Sequence, residues 1–382
     1  HSSGYRGAVP PPAPPPPNPR EPGGGLDQQL VVVSQAEADS YGAKCLDGSP
    51  PAVYYAPARG DADANHWVLY FKGGGWCFDE RGCADRSQST LGGTGSLPMN
   101  LSQTWDKSSG VLHPNATLNP LANYHRVVLW YCDGASFAGN VAQPVVNTTS
   151  KGEQVSMHFR GQQVLNAQLG FLKRRYGLGT AEKVLVSGCS AGGMAVYLQA
   201  DKVCDAVSNT NLKQCRALAN SGFFLDHPTA NGVPRDHDQY EYIARMQNTS
   251  GGVNQACVTA NGAAGCATPQ QNYAYVKTPF FVANSMLDAY QMANILDVGC
   301  SFPHCNASQI ATMAAYQTAF KGTITAIATF TKPGNGAFLD NCVIHCGEQD
   351  ANGFNAFKLP NASGTPTVMA DAVAQWWQSP PG

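Results

Sequence analysis

Short apolar runs along the chain alternate with stretches in which apolar residues recur at helical spacing. Runs at 66–71, 126–131, 183–186 and 279–283 are rich in β-branched and aromatic residues and precede turn residues, which predicts four central strands. Val164, Leu165, Leu169 and Leu172 share one helical face and predict a helix over 161–176, and similar spacing predicts a closing helix over 367–377. Strands alternating with helices are typical of an α/β fold with a mostly parallel central sheet.

The first 27 residues lack this pattern. Prolines at 10–12 and 14–17 and glycines at 23–25 leave almost nothing to bury, which predicts an extended polyproline-type arm over 1–27. We hypothesise that this arm docks on a partner or on another copy of the chain. No internal repeat or composition break follows, so residues 28–382 are predicted to form one domain.

The composition excludes several kinds of partner. The chain has 382 residues, of which 43% are hydrophobic and 13% are charged, and its net charge is −2. This balance argues against nucleic-acid binding and against an anionic membrane surface. No apolar run approaches the roughly 18 residues that a transmembrane helix needs.

Thirteen cysteines are too many for an ordinary protein of a reducing compartment. Six Asn-x-Ser/Thr acceptors for N-linked glycans point the same way, and they lie at Asn100, Asn115, Asn147, Asn248, Asn306 and Asn361. The sequence starts at His1 and not at Met, as a chain without its signal peptide would. We therefore expect a secreted glycoprotein of the extracellular space or cell wall.

A G-x-S-x-G motif at 188–192 joins the predicted strand at 183–186 to a helix-compatible stretch at 194–200. A serine presented on such a turn needs small neighbours so that the strand and the helix can approach each other. The pattern predicts that Ser190 is a nucleophile.

A serine nucleophile needs a histidine base and an orienting acid later in the chain. His345 follows a C-terminal apolar stretch and is preferred to His237 and His304. Asp288 follows the predicted strand at 279–283, and Asp297 and Asp340 remain alternatives on pattern alone.

An oxyanion hole needs two backbone N–H groups, one of them from the residue after the nucleophile, here Ala191. The glycine run at 73–75 can supply the second, because glycines allow backbone amides to turn toward a substrate carbonyl. No Lys-Ser/Thr pair follows this run, which excludes a phosphate-binding P-loop.

Five motifs together give the chain a family resemblance. They read KGGGWC at 72–77, YCDGASFAGN at 131–140, HFRG at 158–161, SGCSAGG at 187–193 and NCVIHC at 341–346. In this order they resemble the pectin acetylesterase family, which includes plant cell-wall enzymes and, more distantly, the animal carboxylesterase Notum. The resemblance covers about residues 30–377.

The resemblance implies an α/β-hydrolase-like fold with disulfide-linked loops. It places the catalytic triad on Ser190, Asp288 and His345, the oxyanion donors on Gly74 and Ala191, and Trp76 beside the substrate pocket. It implies no metal and no cofactor.

The resemblance also implies six disulfides and leaves Cys189 as a free, buried thiol. The implied pairs are Cys45 with Cys132, Cys77 with Cys83, Cys204 with Cys215, Cys257 with Cys266, Cys300 with Cys305, and Cys342 with Cys346. A zinc site at 300–305 is rejected because a second pair of ligands at zinc spacing is missing.

Two features depart from the family. The plant enzymes usually carry Ser-Trp-Gln after the aspartate, whereas this chain has Ala-Tyr-Gln at 289–291, so the pocket wall is expected to differ. The Pro-rich arm is not part of the family pattern.

We therefore expect a secreted serine esterase that removes acetyl groups from pectin or a similar polysaccharide through an acyl-enzyme. One alternative is a Notum-like carboxylesterase for longer acyl esters, with a pocket formed by Trp76, Phe137 and Phe223. A second alternative is a structural subunit of an extracellular assembly that reuses the hydrolase fold.

Overall fold

The computed structural model describes residues 28–103, 110–349, 351–360 and 364–380. The predicted arm at 1–27 and the glycan acceptor Asn361 lie outside these residues.

The described residues form twelve strands. They are β1 Gln29–Val32, β2 Ala52–Ala56, β3 His66–Phe71, β4 His125–Leu129, β5 Val145–Thr148, β6 Gln154–Met157, β7 Lys183–Cys189, β8 Gln214–Asn220, β9 Phe280–Ser285, β10 Gly336–Asp340, β11 Lys358–Leu359 and β12 Thr367–Val368.

Ten α-helices accompany these strands in the described part of the chain. They are α1 Gln35–Tyr41, α2 Glu80–Ser87, α3 Gly161–Tyr176, α4 Ala191–Val207, α5 Arg235–Met246, α6 Gln255–Cys266, α7 Pro269–Asn272, α8 Ala307–Ala326, α9 Ala351–Ala356 and α10 Met369–Gln378.

Eight strands form one central sheet in the order β1-β2-β4-β3-β7-β8-β9-β10. All neighbours from β4 to β10 pair in parallel, and only β1 and β2 add antiparallel ladders at one side. The mostly parallel sheet that the sequence predicts is confirmed. Because parallel strands end at the same edge of a sheet, the loops after β3, β7, β8, β9 and β10 meet there.

The predicted strands are present with small shifts at their ends. The run at 66–71 is β3 itself, and the runs at 126–131, 183–186 and 279–283 correspond to β4, β7 and β9. Residues of β3 after His66 and all residues of β4 and β9 are buried, as expected for a sheet covered on both faces.

The predicted crossover helix is α3. Its predicted apolar face is buried, and the helix ends before Gly177, which has a left-handed backbone with φ 82°. The closing helix begins two residues later than predicted, because Thr367–Val368 pairs as β12 with β11.

Six disulfides cross-link the described part of the chain. Five are pairs that the family resemblance implied: Cys45–Cys132, Cys77–Cys83, Cys204–Cys215, Cys257–Cys266 and Cys300–Cys305. The pairing of Cys342 with Cys346 is wrong, because Cys346 is bonded to Cys189 and Cys342 is the exposed free thiol.

The geometry of the sheet explains this correction. Cys189 is the last residue of β7, and Cys346 lies in the loop beyond β10. The two cysteines are 157 residues apart in sequence, yet their Cα atoms are 5.8 Å apart at the shared edge of the sheet. Closeness in sequence is therefore a poor guide to this pairing.

We expect the unfolded, non-reduced protein to contain one thiol per chain, at Cys342. Alkylation under denaturing conditions followed by peptide mass mapping measures this, with Cys342→Ser as the control that should contain none. A label on Cys189 would contradict the pairing.

Three of the predicted glycan acceptors, Asn115, Asn248 and Asn306, are exposed. Asn100 and Asn147 are half-buried. Glycosylation of these positions stays a prediction. In the described residues, no helix is both long and apolar enough to cross a membrane.

Candidate active site

Ser190 lies at a sharp turn between β7 and α4. Its backbone has φ 61° and ψ −129°, and α4 begins at the next residue, Ala191. A Cβ atom on Gly188 would lie 2.5 Å from the carbonyl oxygen of Gly192, and one on Gly192 would lie 2.1 Å from that of Phe71. The strand, turn and helix expected here are present, and the close backbone approach explains the small flanking residues.

The main chain of Ser190 is fixed while its hydroxyl is available. Its N–H donates to the carbonyl oxygen of Asn220 at 3.2 Å, and its own carbonyl accepts from the N–H of Met194 at 2.8 Å. Within the described residues the half-buried Ser190 side chain has no hydrogen-bond partner. The hydroxyl can therefore meet a substrate without first breaking a protein contact.

His345 and Asp288 form a hydrogen-bonded pair. The distance between His345 Nδ1 and Asp288 Oδ2 is 2.8 Å, and the other carboxylate oxygen, Oδ1, accepts from the N–H of Gln291 at 3.1 Å. The Asp288 side chain is fully buried, whereas that of His345 is 23% exposed. This arrangement orients the imidazole and leaves its Nε2 free to exchange a proton.

The alternative acids and bases are engaged elsewhere. Asp297 forms a surface ion pair with Arg235, and Asp340 accepts from the backbone N–H of Cys342. His237 pairs with Asp226 at the surface, and His304 is exposed in the loop closed by the 300–305 disulfide. Of the predicted candidates, the structure brings together Asp288 and His345.

A covalent bond joins the segments that carry Ser190 and His345. Cys189 directly precedes Ser190, Cys346 directly follows His345, and the two cysteines form a disulfide. The serine and the histidine are thus each adjacent to one end of the same cross-link, which limits how far they can separate.

The glycine loop after β3 packs against this turn. A Cβ atom on Gly73 would lie 3.3 Å from Cβ of Ser190, and Gly74 has φ 130°. The buried ammonium of Lys72 donates to the Gly73 carbonyl at 2.9 Å. The C=O and N–H of one trans peptide point in opposite directions, so this contact turns the Gly74 N–H away from Lys72. Ala191, as the first residue of α4, has an N–H without a helical acceptor.

The 131–140 segment holds the Trp76 side chain in place. Trp76 Nε1 donates to Ser136 Oγ at 2.9 Å, and Ser136 Oγ donates to the carbonyl of Ala191 at 2.8 Å. Ser136 has φ 51°, and the buried carboxylate of Asp133 accepts from the N–H groups of Ala135 and Phe137 in the same loop. Burial raises the pKa of Asp133 to about 6, although these two donors oppose the shift.

Aromatic rings form a wall beside His345. Trp76 meets Phe224 and Tyr240 edge to face at centroid distances of 5.0 and 5.4 Å. Tyr290 lies 6.3 Å from Trp76 and 5.5 Å from His345. Tyr290 is one of the two residues, with Ala289, that depart from the plant pattern, and its ring belongs to this wall.

Two of the three aromatic residues expected in a long acyl pocket are fully buried. Phe137 is fully buried against Phe71 and Tyr131. Phe223 is also fully buried and packs against other core rings. Both phenylalanines thus have no exposed surface in this structure, and a pocket formed by Trp76, Phe137 and Phe223 stays a prediction.

Sequence reasoning missed several residues that support the site. Ser136 and Asp133 lie in a motif that carried the family resemblance, but the motif assigned them no role. Asn220, Ser221 and Glu348 carried no signal in the sequence, since each is a polar residue in a short polar stretch.

Nothing described around the site suggests a metal centre. Cys300 and Cys305 are bonded to each other and are not available as thiolate ligands. Among the residues that the structure describes, no group of three or more His, Cys, Asp or Glu side chains is arranged to hold a metal ion.

Comparison with known proteins shows the family of this chain. The family model Pectinacetylesterase matches residues 24–380. Pectin acetylesterase 11 of Arabidopsis thaliana is 29% identical over 349 residues, which cover 88% of this chain and 84% of that protein. Palmitoleoyl-protein carboxylesterase NOTUM of Homo sapiens is 31% identical over 189 residues, which cover 48% of this chain and 34% of that protein.

A solved structure, that of the Wnt deacylase Notum from Drosophila, superposes with a TM-score of 0.75 at 21% identity. The match covers 92% of this chain and 93% of that one, and it supports an α/β-hydrolase-like fold. The chain belongs to the pectinacetylesterase family and is a carboxylic-ester hydrolase.

Proposed function

We propose that this protein is a secreted serine esterase that removes acetyl groups from pectin or a similar polysaccharide. The observation that carries the proposal is the Asp288–His345 hydrogen bond in a segment cross-linked directly to the Ser190 turn. A hydroxyl on a strained turn, an oriented imidazole and a buried carboxylate are the parts of a catalytic triad.

In the proposed mechanism, Ser190 Oγ attacks the ester carbonyl while His345 Nε2 takes its proton. Asp288 accepts the Nδ1–H hydrogen bond and stabilises the imidazolium. The N–H groups of Gly74 and Ala191 bind the oxyanion. His345 then protonates the departing sugar oxygen, which leaves an acetyl-serine. Water that gives its proton to His345 then attacks this ester. His345 returns that proton to Ser190 Oγ as the acetyl–serine bond breaks, which releases acetic acid and free Ser190.

The aromatic wall supports a short acyl group. The side chains of Trp76, Phe224 and Tyr240 are mostly buried against one another beside His345. Tightly packed rings resist displacement, so a long acyl chain would have to move several of them. Removal of a Notum-like acyl group is therefore the alternative, and acetate is the preferred product.

A shallow depression beside this wall supports a carbohydrate substrate. It has a volume of about 280 Å³ and is lined by Phe78, Asp79, Asp238, Gln239 and Tyr242. The rings of Phe78 and Trp76 are 6.3 Å apart, which connects the depression to the wall. A sugar ring has an apolar C–H face and a rim of hydroxyls, so aromatic side chains next to carboxylate and amide groups suit it.

Secretion is supported by the disulfides. Twelve of the thirteen cysteines are paired, which requires an oxidising compartment during folding. The exposed acceptors Asn115, Asn248 and Asn306 are accessible to N-linked glycans.

The test is acetate release from acetylated pectin and from small chromogenic acetate, butyrate and octanoate esters. We expect turnover of both acetates and a rate on the small esters that falls with acyl length. Tyr242→Ala should lower kcat/KM on acetylated pectin about 3- to 10-fold, because one aromatic contact is lost, and should leave the small acetate unchanged.

Tyr242→Phe is the matched control, because it removes only the hydroxyl that donates to Glu80 and keeps the ring. Faster hydrolysis of octanoate than of acetate would favour the long-acyl alternative. Absence of turnover on every ester would favour the structural-subunit alternative.

A further inference from the structure

A buried carboxylate that the proposed mechanism does not use lies behind the Ser190 turn. Glu348 is only 1% exposed and belongs to a short 3-10 turn, Gly347–Gln349, directly after Cys346. Its Oε1 accepts from the backbone N–H of Val111 at 3.2 Å, and its Oε2 accepts from Asn220 Nδ2 at 3.1 Å. Both oxygens of the carboxylate are thus engaged by donors on two other segments.

Asn220 connects this carboxylate to the nucleophile. Asn220 is the last residue of β8, and its backbone carbonyl accepts the Ser190 N–H at 3.2 Å. Its side-chain amide donates to Glu348, so one residue receives a hydrogen bond from the serine and gives one to the glutamate.

The next residue, Ser221, links Asn220 to the loop that contains His345. Ser221 Oγ donates to Asn220 Oδ1 at 3.0 Å and accepts from the N–H of Cys346 at 2.9 Å. Cys346 directly follows His345. The segments of the nucleophile and of the base are therefore both anchored on Asn220 and Ser221.

The space around Glu348 is shaped for this side chain. A Cβ atom on Gly110 would lie 2.8 Å from Cγ of Glu348 and 2.6 Å from its backbone oxygen, so only glycine fits there.

No cationic side chain pairs with Glu348 among the described residues. Burial raises the pKa of Glu348 to about 7 although two N–H groups donate to it. Such a group is costly to bury, and its hydrogen bonds must offset that cost.

We propose that Glu348 is a positioning residue, which orients Asn220 and, through Asn220 and Ser221, sets Ser190 relative to His345. This proposal rests on the proposed serine esterase function. It assigns Glu348 no contact with the substrate.

The direction of each hydrogen bond provides a test. In Glu348→Gln the new amide can still accept from Val111, but its NH₂ group faces the NH₂ group of Asn220. In Asn220→Asp two carboxylates face each other. In the double variant, the new amide at position 348 donates to the new carboxylate at position 220 and accepts from Val111. Ser221 still donates to that carboxylate, so every hydrogen bond of the cluster is restored with nearly the same atoms.

The experiment measures kcat and KM on a small chromogenic acetate for the parent, both single variants and the double variant. We expect each single variant to lose about 10- to 100-fold in kcat with KM nearly unchanged, because small misplacements of catalytic groups reduce turnover. The double variant should recover to within about threefold of the parent, the mark of coupled residues. Glu153→Gln, at an exposed hairpin position, is the control for loss of one negative charge.

Thermal unfolding and a thiol count on each variant separate positioning from folding. The proposal holds if the double variant recovers kcat while all folded variants keep one thiol. The proposal is overturned if the single variants keep the parent's kcat. It is also overturned if the fold-loss of kcat in the double variant equals the product of the fold-losses in the two single variants.

The parent's activity separates this proposal from the proposed function. If the parent turns over and Ser190→Ala does not, a failed rescue contradicts only the role of Glu348. If the parent hydrolyses no ester, the proposed function fails, and the positioning role fails with it.

Discussion

Replacing Ser190 with alanine should reduce kcat for acetate esters by about 10⁴-fold or more, because the covalent route loses its nucleophile. The turn itself should survive, since its hydrogen bonds to Asn220 and Met194 use only the Ser190 main chain. The measurement is acetate release over a range of substrate concentrations, together with labelling by a fluorophosphonate that modifies activated serines. We expect the parent to be labelled at Ser190 and the variant to remain unlabelled.

Ser187→Ala is the matched control for this variant. Ser187 lies on the same strand, β7, is fully buried, and has no hydrogen-bond partner for its hydroxyl among the described residues. Removing the Ser187 hydroxyl should leave kcat within about twofold of the parent value, since no hydrogen bond is lost. Retained turnover in Ser190→Ala, or labelling at another serine, would exclude Ser190 as the nucleophile.

Replacing Asp288 with asparagine should lower kcat at neutral pH by about 10³- to 10⁴-fold. The carboxylate oxygen 2.8 Å from His345 Nδ1 can only accept, so the Nδ1–H tautomer is favoured and Nε2 is left as the base. An asparagine amide can donate to Nδ1 and favour the opposite tautomer. Full kinetic analysis on the small acetate measures the loss, and KM should change much less than kcat.

Asp297→Asn is the control for the Asp288 variant. Asp297 was the alternative acid nearest in sequence, and it forms a surface ion pair with Arg235. Exposed pairs contribute little to stability, and asparagine tolerates the positive φ of 51° at this position. Equal losses in the two variants would contradict the assignment of the acid to Asp288.

The parts of this molecule that could be predicted are those in which a local pattern and local geometry agree. Strand β3 and helix α3 have the same bounds that their apolar spacing predicts. The G-x-S-x-G motif predicts the Ser190 turn because the close approach of the strand and the helix requires small residues on both sides of the serine. All of these residues lie within five consecutive positions. Such signals need no knowledge of distant segments.

Strand β8 illustrates why another part could not be predicted. It contains Arg216, a charged residue that breaks the apolar run, yet this side chain is only 1% exposed. Its guanidinium donates to the carbonyl oxygens of Trp376, in the last turn of the closing helix, and of Ser379 and Pro380, just after it. These hydrogen bonds, to carbonyls at least 160 positions away in sequence, offset the cost of burying the charged guanidinium. No local pattern around Arg216 indicates these distant partners.

The sequence by itself determined the largely parallel α/β sheet, the Ser190 turn and the motifs that indicate the family. Only the tertiary structure decided the Cys189–Cys346 bond, the rings that line the wall, and the burial of Glu348. The physical reason is the same in each case. Parallel strands bring the ends of distant segments to one edge of the sheet, where contacts depend on strand order and not on sequence separation.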